Sequence, residues 1–474
     1  MFRSLLVLLT SALFLSCDDL DLRELEELLG EGCEEGQANL SAFLQQEGAL
    51  SEEIAEDPPY PMSIIVSQNS LNRMFSAIAE EDIDPIEVDL TDEFDLGFRV
   101  GLVIDPDLPL IQIEAVEDCP TCIVTDVSFG VKIKVGSFTI GAQGHAVYQF
   151  PISIVPQGFE STFVYANFEQ SEFQVLEVRL TDDGNFSIPF VNLDANDIIR
   201  LADPYLKQYV NRYVQSTYRE VELFQLEPWE IGDGAVKLLG RGPILYPEHK
   251  TLVLGIHTNL VRPLDSTVEI EPILPEGADI GMQFHPQLVQ SMVQRMMHEG
   301  HIQRAYDQSG SAMMSMSIDE EMSASSLLGD DTFQVTLSTL KQSDIASGLL
   351  SAGFTMWQTE GTFCGSAELR AELGVSVGDG GINLTAQEIR IERGEGVFGF
   401  LAETADRWLN SDFMRDVVDV SEFTLNYDEL NLPGDKKAEM SAETFRLEIG
   451  GSGFNIFLNL DAVVDREPDP MSDQ

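Results

Sequence analysis

Ile64-Ile65-Val66-Ser67-Gln68-Asn69-Ser70-Leu71-Asn72-Arg73-Met74-Phe75-Ser76-Ala77-Ile78 aligns without gaps on Met282-Gln283-Phe284-His285-Pro286-Gln287-Leu288-Val289-Gln290-Ser291-Met292-Val293-Gln294-Arg295-Met296, at a constant offset of 218. Each copy opens on an extended apolar pair, passes through a short polar link and enters a helix. The helix follows from apolar residues at 71, 74, 75 and 78, and again at 289, 292, 293 and 296, the i, i+3, i+4, i+7 spacing of one buried stripe. Self-similarity over this distance reads as two copies of one structural unit.

A second pair of segments extends the repeat. Asp203-Pro204 supplies an N-cap acid and an N1 proline ahead of Leu206, Tyr209, Val210 and Tyr213 on one helical face. Phe400, Leu401, Ala405, Trp408 and Leu409 carry a similar stripe in the second half, without that opening. Similar strand-like phrases follow both, Val221 to Leu226 and Val420 to Leu425. Between the helices of each half the sequence alternates and is punctuated by glycine, as over 98–104, 127–135, 138–156, 163–180, 333–340 and 367–391. Closing strands are expected over 251–260 and 454–460. The expected order in each half is helix, antiparallel strands, helix, strands.

In this arrangement the sequence resembles the tubular lipid-binding superfamily, the group that contains bactericidal/permeability-increasing protein. The residues that carry the resemblance are the two strand, link and helix phrases at 65–74 and 284–292, and it covers about 61 to 462. It implies an α+β fold of two tandem units, 61–275 and 276–465, each a curved antiparallel sheet wrapped around a long helix. It also implies an apolar groove between sheet and helix that takes acyl chains, lined by Leu71, Met74, Phe75, Ile78, Val289, Met292, Val293 and Met296. Eight of the fifteen methionines fall between Met282 and Met322, and clustered methionine suits ligands of variable shape, although methionine at helical spacing is also an ordinary core residue. Two features depart from the family: its disulfide pattern does not map onto these cysteines, and many relatives are cationic where this chain is not.

The charge is −54, from 81 acidic and 27 basic residues, with only eight lysines. A surface with about three carboxylates per cation repels phosphate, so no nucleic-acid partner is expected. With 43% hydrophobic residues the chain has ample material for a core.

At the N-terminus, Arg3 and the apolar run Leu5 to Leu15 describe a signal peptide over 1–16, too short to span a bilayer. Phe14-Leu15-Ser16-Cys17 resembles the bacterial lipobox, with phenylalanine in place of the usual leucine, which makes Cys17 the lipid anchor, a palmitate-type modification. Residues 18 to 58 hold fourteen acids against Arg23, so 17–60 reads as a solvated acidic tether, and 466–474 as a disordered tail. The expected setting is the bacterial cell envelope, periplasm-facing or on the outer surface.

Export favours disulfides, and Cys119-Pro120-Thr121-Cys122 sits between alternating runs that suit a hairpin. A structural pair is the simplest reading of Cys119 and Cys122; a redox pair or half a zinc site are the sharper ones. Cys33 and Cys364 are left open between free and paired.

Of the six histidines, His298 and His301 flank Gly300 where the repeated helix should stop, a placement that complements the helix dipole. No HExxH or GxxxxGK(S/T) pattern occurs, and no metal, cofactor or catalytic residue is expected. The function these features point to is binding or shuttling of lipid or another apolar ligand by an envelope protein held at the membrane through its N-terminal lipid. The alternative is a structural or partner-binding lipoprotein with a fully packed interior and no ligand.

Overall fold

The computed structural model describes residues 36–51, 54, 59–79, 85–91, 99–107, 110–136, 138–157, 161–181, 204, 208, 211, 212, 215, 220–226, 228–231, 234–260, 271–300, 305, 306, 333–343, 349–358, 365–378, 381–396, 430–432, 436–450 and 453–464. The signal peptide, Cys17, Cys33, Cys364, the tail, the Phe400 to Leu409 helix and the Val420 to Leu425 strand lie outside them. Of the Asp203-Pro204 helix, positions 204, 208, 211, 212 and 215 are described, and all are helical.

The chain forms two compact units, each assembled from separated stretches. One takes 51–230, 235–285 and 424–474; the other takes the described residues up to 50, together with 231–234 and 286–423. Strand pairing is the reason that the last stretch groups with the first half. Gly453–Val464 pairs antiparallel with Ile280–Phe284, which pairs in turn with Met62–Ser67.

These three strands lie in a seven-stranded sheet ordered Leu238–Tyr246, Thr251–Thr258, Met62–Ser67, Ile280–Phe284, Gly453–Val464, Lys436–Gly450, Leu430–Leu432. The repeat is its symmetry. Ile64 faces Met282, its own counterpart at the offset of 218, while Met62 faces Phe284 and Val66 faces Ile280. Outward from that pair, Leu254 faces Ile64 on one side and Ile456 faces Met282 on the other. The bounding hydrogen bonds repeat as well. Ser67 donates its N–H to the carbonyl of Asp279 at 3.0 Å, and His285, 218 residues after Ser67, donates to the carbonyl of Pro61 at 2.8 Å. The next strand on each side, Leu238–Tyr246 and Lys436–Gly450, carries a register shift, between Arg241 and Ile244 and between Thr444 and Arg446. Thr251–Thr258 has strands on both edges and every residue buried.

Two further sheets complete the described residues apart from a short two-stranded ribbon. An eight-stranded sheet carries Ile86–Asp89, Val100–Pro106, Cys122–Val135, Phe138–Gln157, Ser161–Asn167 and Glu220–Leu226 in order, with Leu110–Gln112 and Glu172–Leu180 paired beside that path. In the other unit, Ala305–Tyr306, Phe333–Gln342, Leu349–Gln358, Gly365–Gly378 and Gly381–Gly396 make a five-stranded meander. Alternation explains the strands: in Cys122–Val135, Phe129, Val131, Ile133 and Val135 are buried while Ser128, Lys132 and Lys134 are exposed. Gly144 faces Phe129 across the strand pair and leaves room for its ring, which a Cβ would meet at 2.1 Å.

The fold is therefore dominated by antiparallel sheet. Among the described residues the repeated helices, Gln68–Ala79 and Pro286–His298, cover 12 and 13 residues, and a sheet wrapped around a long helix is not evident. Gly300, at φ +77, ends the second by taking a conformation that a side chain would disfavour. Within the stretch read as an acidic tether, residues 36–46 are helical, with Leu40 buried and most of the other helical positions exposed. A continuous acidic count hides this, because the acids crowd into the stretches before and after it.

Candidate functional site

The first repeated helix is fixed at its start by the link that precedes it. In the first copy Ser67 caps the helix, its Oγ accepting the Ser70 N–H at 3.0 Å, and Ser70 Oγ donates to the carbonyl of Asp279 at 2.7 Å. One turn on, Arg73 makes a bidentate pair with Asp279, Nη1 to Oδ2 at 2.9 Å and Nη2 to Oδ1 at 2.8 Å. Asp279 is buried, so this pair seats the first helix against the chain that enters the second repeated strand.

A carboxamide at one repeated position then clasps a strand edge in both copies. In the first, Asn72 donates Nδ2 to the Ile111 carbonyl at 3.1 Å and accepts the Ile111 N–H on Oδ1 at 2.6 Å. In the second, Gln290, at the offset of 218 from Asn72, donates Nε2 to the Ser338 carbonyl at 2.7 Å and accepts the Leu340 N–H at 3.2 Å. A flanking amide supports each clasp. Gln68 accepts from the Ile113 N–H at 2.9 Å, and Gln294 donates to the Leu337 carbonyl at 2.6 Å. The second clasp closes on a bulge, where the register of Phe333–Gln342 shifts between Leu337 and Thr339. The repeat alignment sets Asn72 against Gln290 as two polar residues; their shared role was missed because the acceptor strands have no common pattern.

Leu71 is fully buried, in a cluster with Val66, Ile111, Ile123, Phe150 and Leu254 that lies between the seven- and eight-stranded sheets. Met74, Phe75 and Ile78 lie on the same helix, and their side chains are outside the described ones. In the second copy the sequence stripe divides. Leu288, Met292 and Met297 are the buried residues, whereas Val289, Val293 and Met296 are only partly covered.

Around the helix these positions run in the order Leu288, Met292, Met296, Val289, Val293, Met297, Gln290, Gln294. The partly covered residues thus lie between two covered borders, Leu288 with Met292 on one side and Met297 with the Gln290 and Gln294 clasp on the other. All three are apolar, so another apolar surface is what the strip is suited to receive. Of the clustered methionines, Met282, Met292 and Met297 are core, and 313, 314, 316 and 322 lie outside the described residues.

Electrostatically the start of the second helix is neutral. His285 is half-buried, and burial holds its imidazole below the ordinary value. At the other end Arg295 pairs with Glu299 one turn on. Among the described residues no group of three metal-ligating side chains comes together, and no helix is long and apolar enough to cross a membrane.

Cys119 and Cys122 are joined by a disulfide with their Cα atoms 5.3 Å apart. The Cys122 N–H returns to the Cys119 carbonyl at 3.2 Å, so Pro120 and Thr121 form the centre of a tight turn. The hairpin this turn closes pairs Leu110–Gln112 with Cys122–Val135, and Ile111 on it is the residue that Asn72 clasps.

The chain matches no protein-family model and no curated protein. Among solved structures it is similar to lipopolysaccharide binding protein, at 9% identity and a TM-score of 0.40, over 85% of this chain and 100% of that one. It is also similar to P47 of Clostridium botulinum E1, at 10% identity and a TM-score of 0.42, over 85% and 99% of the two chains. P47 from Clostridium botulinum A2 aligns at 10% identity and a TM-score of 0.40, over 84% and 97%.

Proposed function

We propose that this chain binds lipid or another apolar chain on its second repeated helix, and that it does so in the bacterial envelope, tethered through a lipid on Cys17. The observation that carries this reading is the strip of Val289, Val293 and Met296, left partly open between two covered borders of one helix. Each methylene that a ligand buried there would contribute about 0.8 kcal/mol, enough for a single acyl chain to bind without any charged motif. The family's fuller picture, a groove shared by sheet and helix in tandem tubular units, belongs to the same proposal. Binding or carriage is the expected role, with no bond made or broken. The acid excess gives such a carrier no attraction to anionic head groups, so the anchor would supply membrane contact.

The first copy favours the alternative of a packed structural element, since Leu71, at the position equivalent to Val289, is wholly buried in the core cluster. Native mass spectrometry of the purified chain and uptake of a fluorescent long-chain fatty acid test the reading. Bound lipid is expected in the first and saturable uptake in the second, and Val293→Asp should weaken uptake by about tenfold or more, since a carboxylate must be desolvated beneath the ligand. Absence of both co-purified lipid and uptake would overturn it. Labelling with a clickable palmitate analogue, expected to vanish in Cys17→Ala, tests the anchor separately.

A further inference from the structure

We infer that the stretch over 36–50 is a movable wall of the second-helix site, seated on Arg295 through Gly48. This rests on the proposal that Val289, Val293 and Met296 take an apolar chain. The helix over 36–46 ends in a turn at Glu47 and Gly48, and the Glu47 N–H donates to the Phe43 carbonyl at 2.9 Å. Gly48 adopts φ +59, and a Cβ there would lie 2.5 Å from the Arg295 Cα and 2.7 Å from its nitrogen. Backbone therefore rests directly on backbone at Arg295, a contact only glycine permits.

Arg295 neighbours Leu288 around the helix, so this contact falls beside the border of the open strip opposite to the Gln290 and Gln294 clasp. The two borders differ in strength. The clasp is hydrogen-bonded to a strand of a five-stranded sheet. The wall is a short helix whose buried residues are Gly36, Leu40, Glu47 and Gly48, with Leu40 the one large apolar side chain fully covered. A segment with so little apolar burial opens locally at low free energy while the sheet stays closed. It is also continuous in sequence with the segment that leads back to Cys17.

Gly48→Val and Leu40→Ser, each in the full chain, test this by two independent routes: the first forces the wall off Arg295, and the second removes its buried anchor. Amide hydrogen exchange over 36–50 is measured beside the rate at which a preloaded fluorescent long-chain fatty acid passes to phosphatidylcholine vesicles. Both variants should accelerate exchange of 36–50 and release of the probe by about tenfold, as expected when a minor open state becomes more populated. Exchange in Leu349–Gln358 and Gly365–Gly378 should stay at the wild-type rate. Faster exchange over 36–50 with unchanged release would overturn the inference, and so would equal acceleration throughout the five-stranded sheet. A wild-type chain that takes up no probe defeats the binding proposal itself and the wall with it.

Discussion

Replacing Asn72 and Gln290 singly by alanine probes whether the repeat is a mechanical device or only a likeness of sequence. Each substitution deletes one donor and one acceptor and leaves a strand N–H and a strand carbonyl without their partner, at Ile111 in the first copy and at Leu340 and Ser338 in the second. A single hydrogen bond contributes about 1 kcal/mol net, and a stranded partner costs about 1–3 kcal/mol when water cannot reach it. These bonds are part-buried, so water replaces some of what is lost, and about 2 kcal/mol per clasp is the working figure. At about 1.4 kcal/mol per factor of ten, that is roughly a 30-fold acceleration of local amide exchange. The assay is hydrogen exchange by mass spectrometry, read at 110–113 for Asn72→Ala and at 337–340 for Gln290→Ala. Each variant should open its own strand and leave the other copy's strand protected. Fatty-acid uptake should fall in Gln290→Ala alone, because only the second clasp borders the open strip. Unchanged protection at both strands, or a change of less than about threefold, would refute the clasp. Loss of uptake in both variants would refute the division of roles between the copies.

Leu71→Ala should destabilise the unit that contains it by about 3–4 kcal/mol in denaturant unfolding, because the residue is fully buried in a closed cluster and its removal leaves a cavity; a change below about 1 kcal/mol would mean that the site is not packed. His285 bears on pH. Burial lowers its folded-state value below the ordinary one of about 6.5, so the folded state disfavours the proton that the unfolded chain accepts. Its contribution is present above that pH and is lost as pH falls through the window below it. His285→Asn should therefore lose less melting temperature than wild type between neutral and mildly acidic buffer, and equal losses would count against the burial of this ring.

How much was legible in the sequence depends on the range of the interaction. The helix phrases at 64–78 and 282–296 were readable because helical spacing is local, and Gly300 marked its stop for the same reason. Strands with clean alternation, such as 127–135 and 138–156, were readable too, as was the Cys119 to Cys122 turn, whose four residues hold all that the turn requires. Leu349–Gln358, Leu238–Tyr246 and Lys436–Gly450 escaped notice. The first is nearly continuous in small and apolar residues, the second is broken by Gly242 and Pro243, and the third carries charges at a density that suits a surface helix equally well. At the site, the apolar stripe was read as one face. Which of its members are covered depends on neighbours that the stripe does not encode, so Val289, Val293 and Met296 separated from Leu288 and Met297 only in three dimensions.

By itself the sequence determined that two related strand and helix phrases exist, that they are separated by 218 residues, and that the chain between them is largely strand. Only tertiary structure decided that the two repeated strands pair with each other. Ile64 meets Met282 because antiparallel pairing of a strand with its own copy places equivalent residues opposite one another at the centre, and that pairing satisfies both edges at once. The same is true of the clasp. Asn72 and Gln290 are equivalent in sequence, but each becomes a clasp only when folding brings a strand edge with an N–H and a carbonyl to its amide, a long-range event that no local pattern specifies.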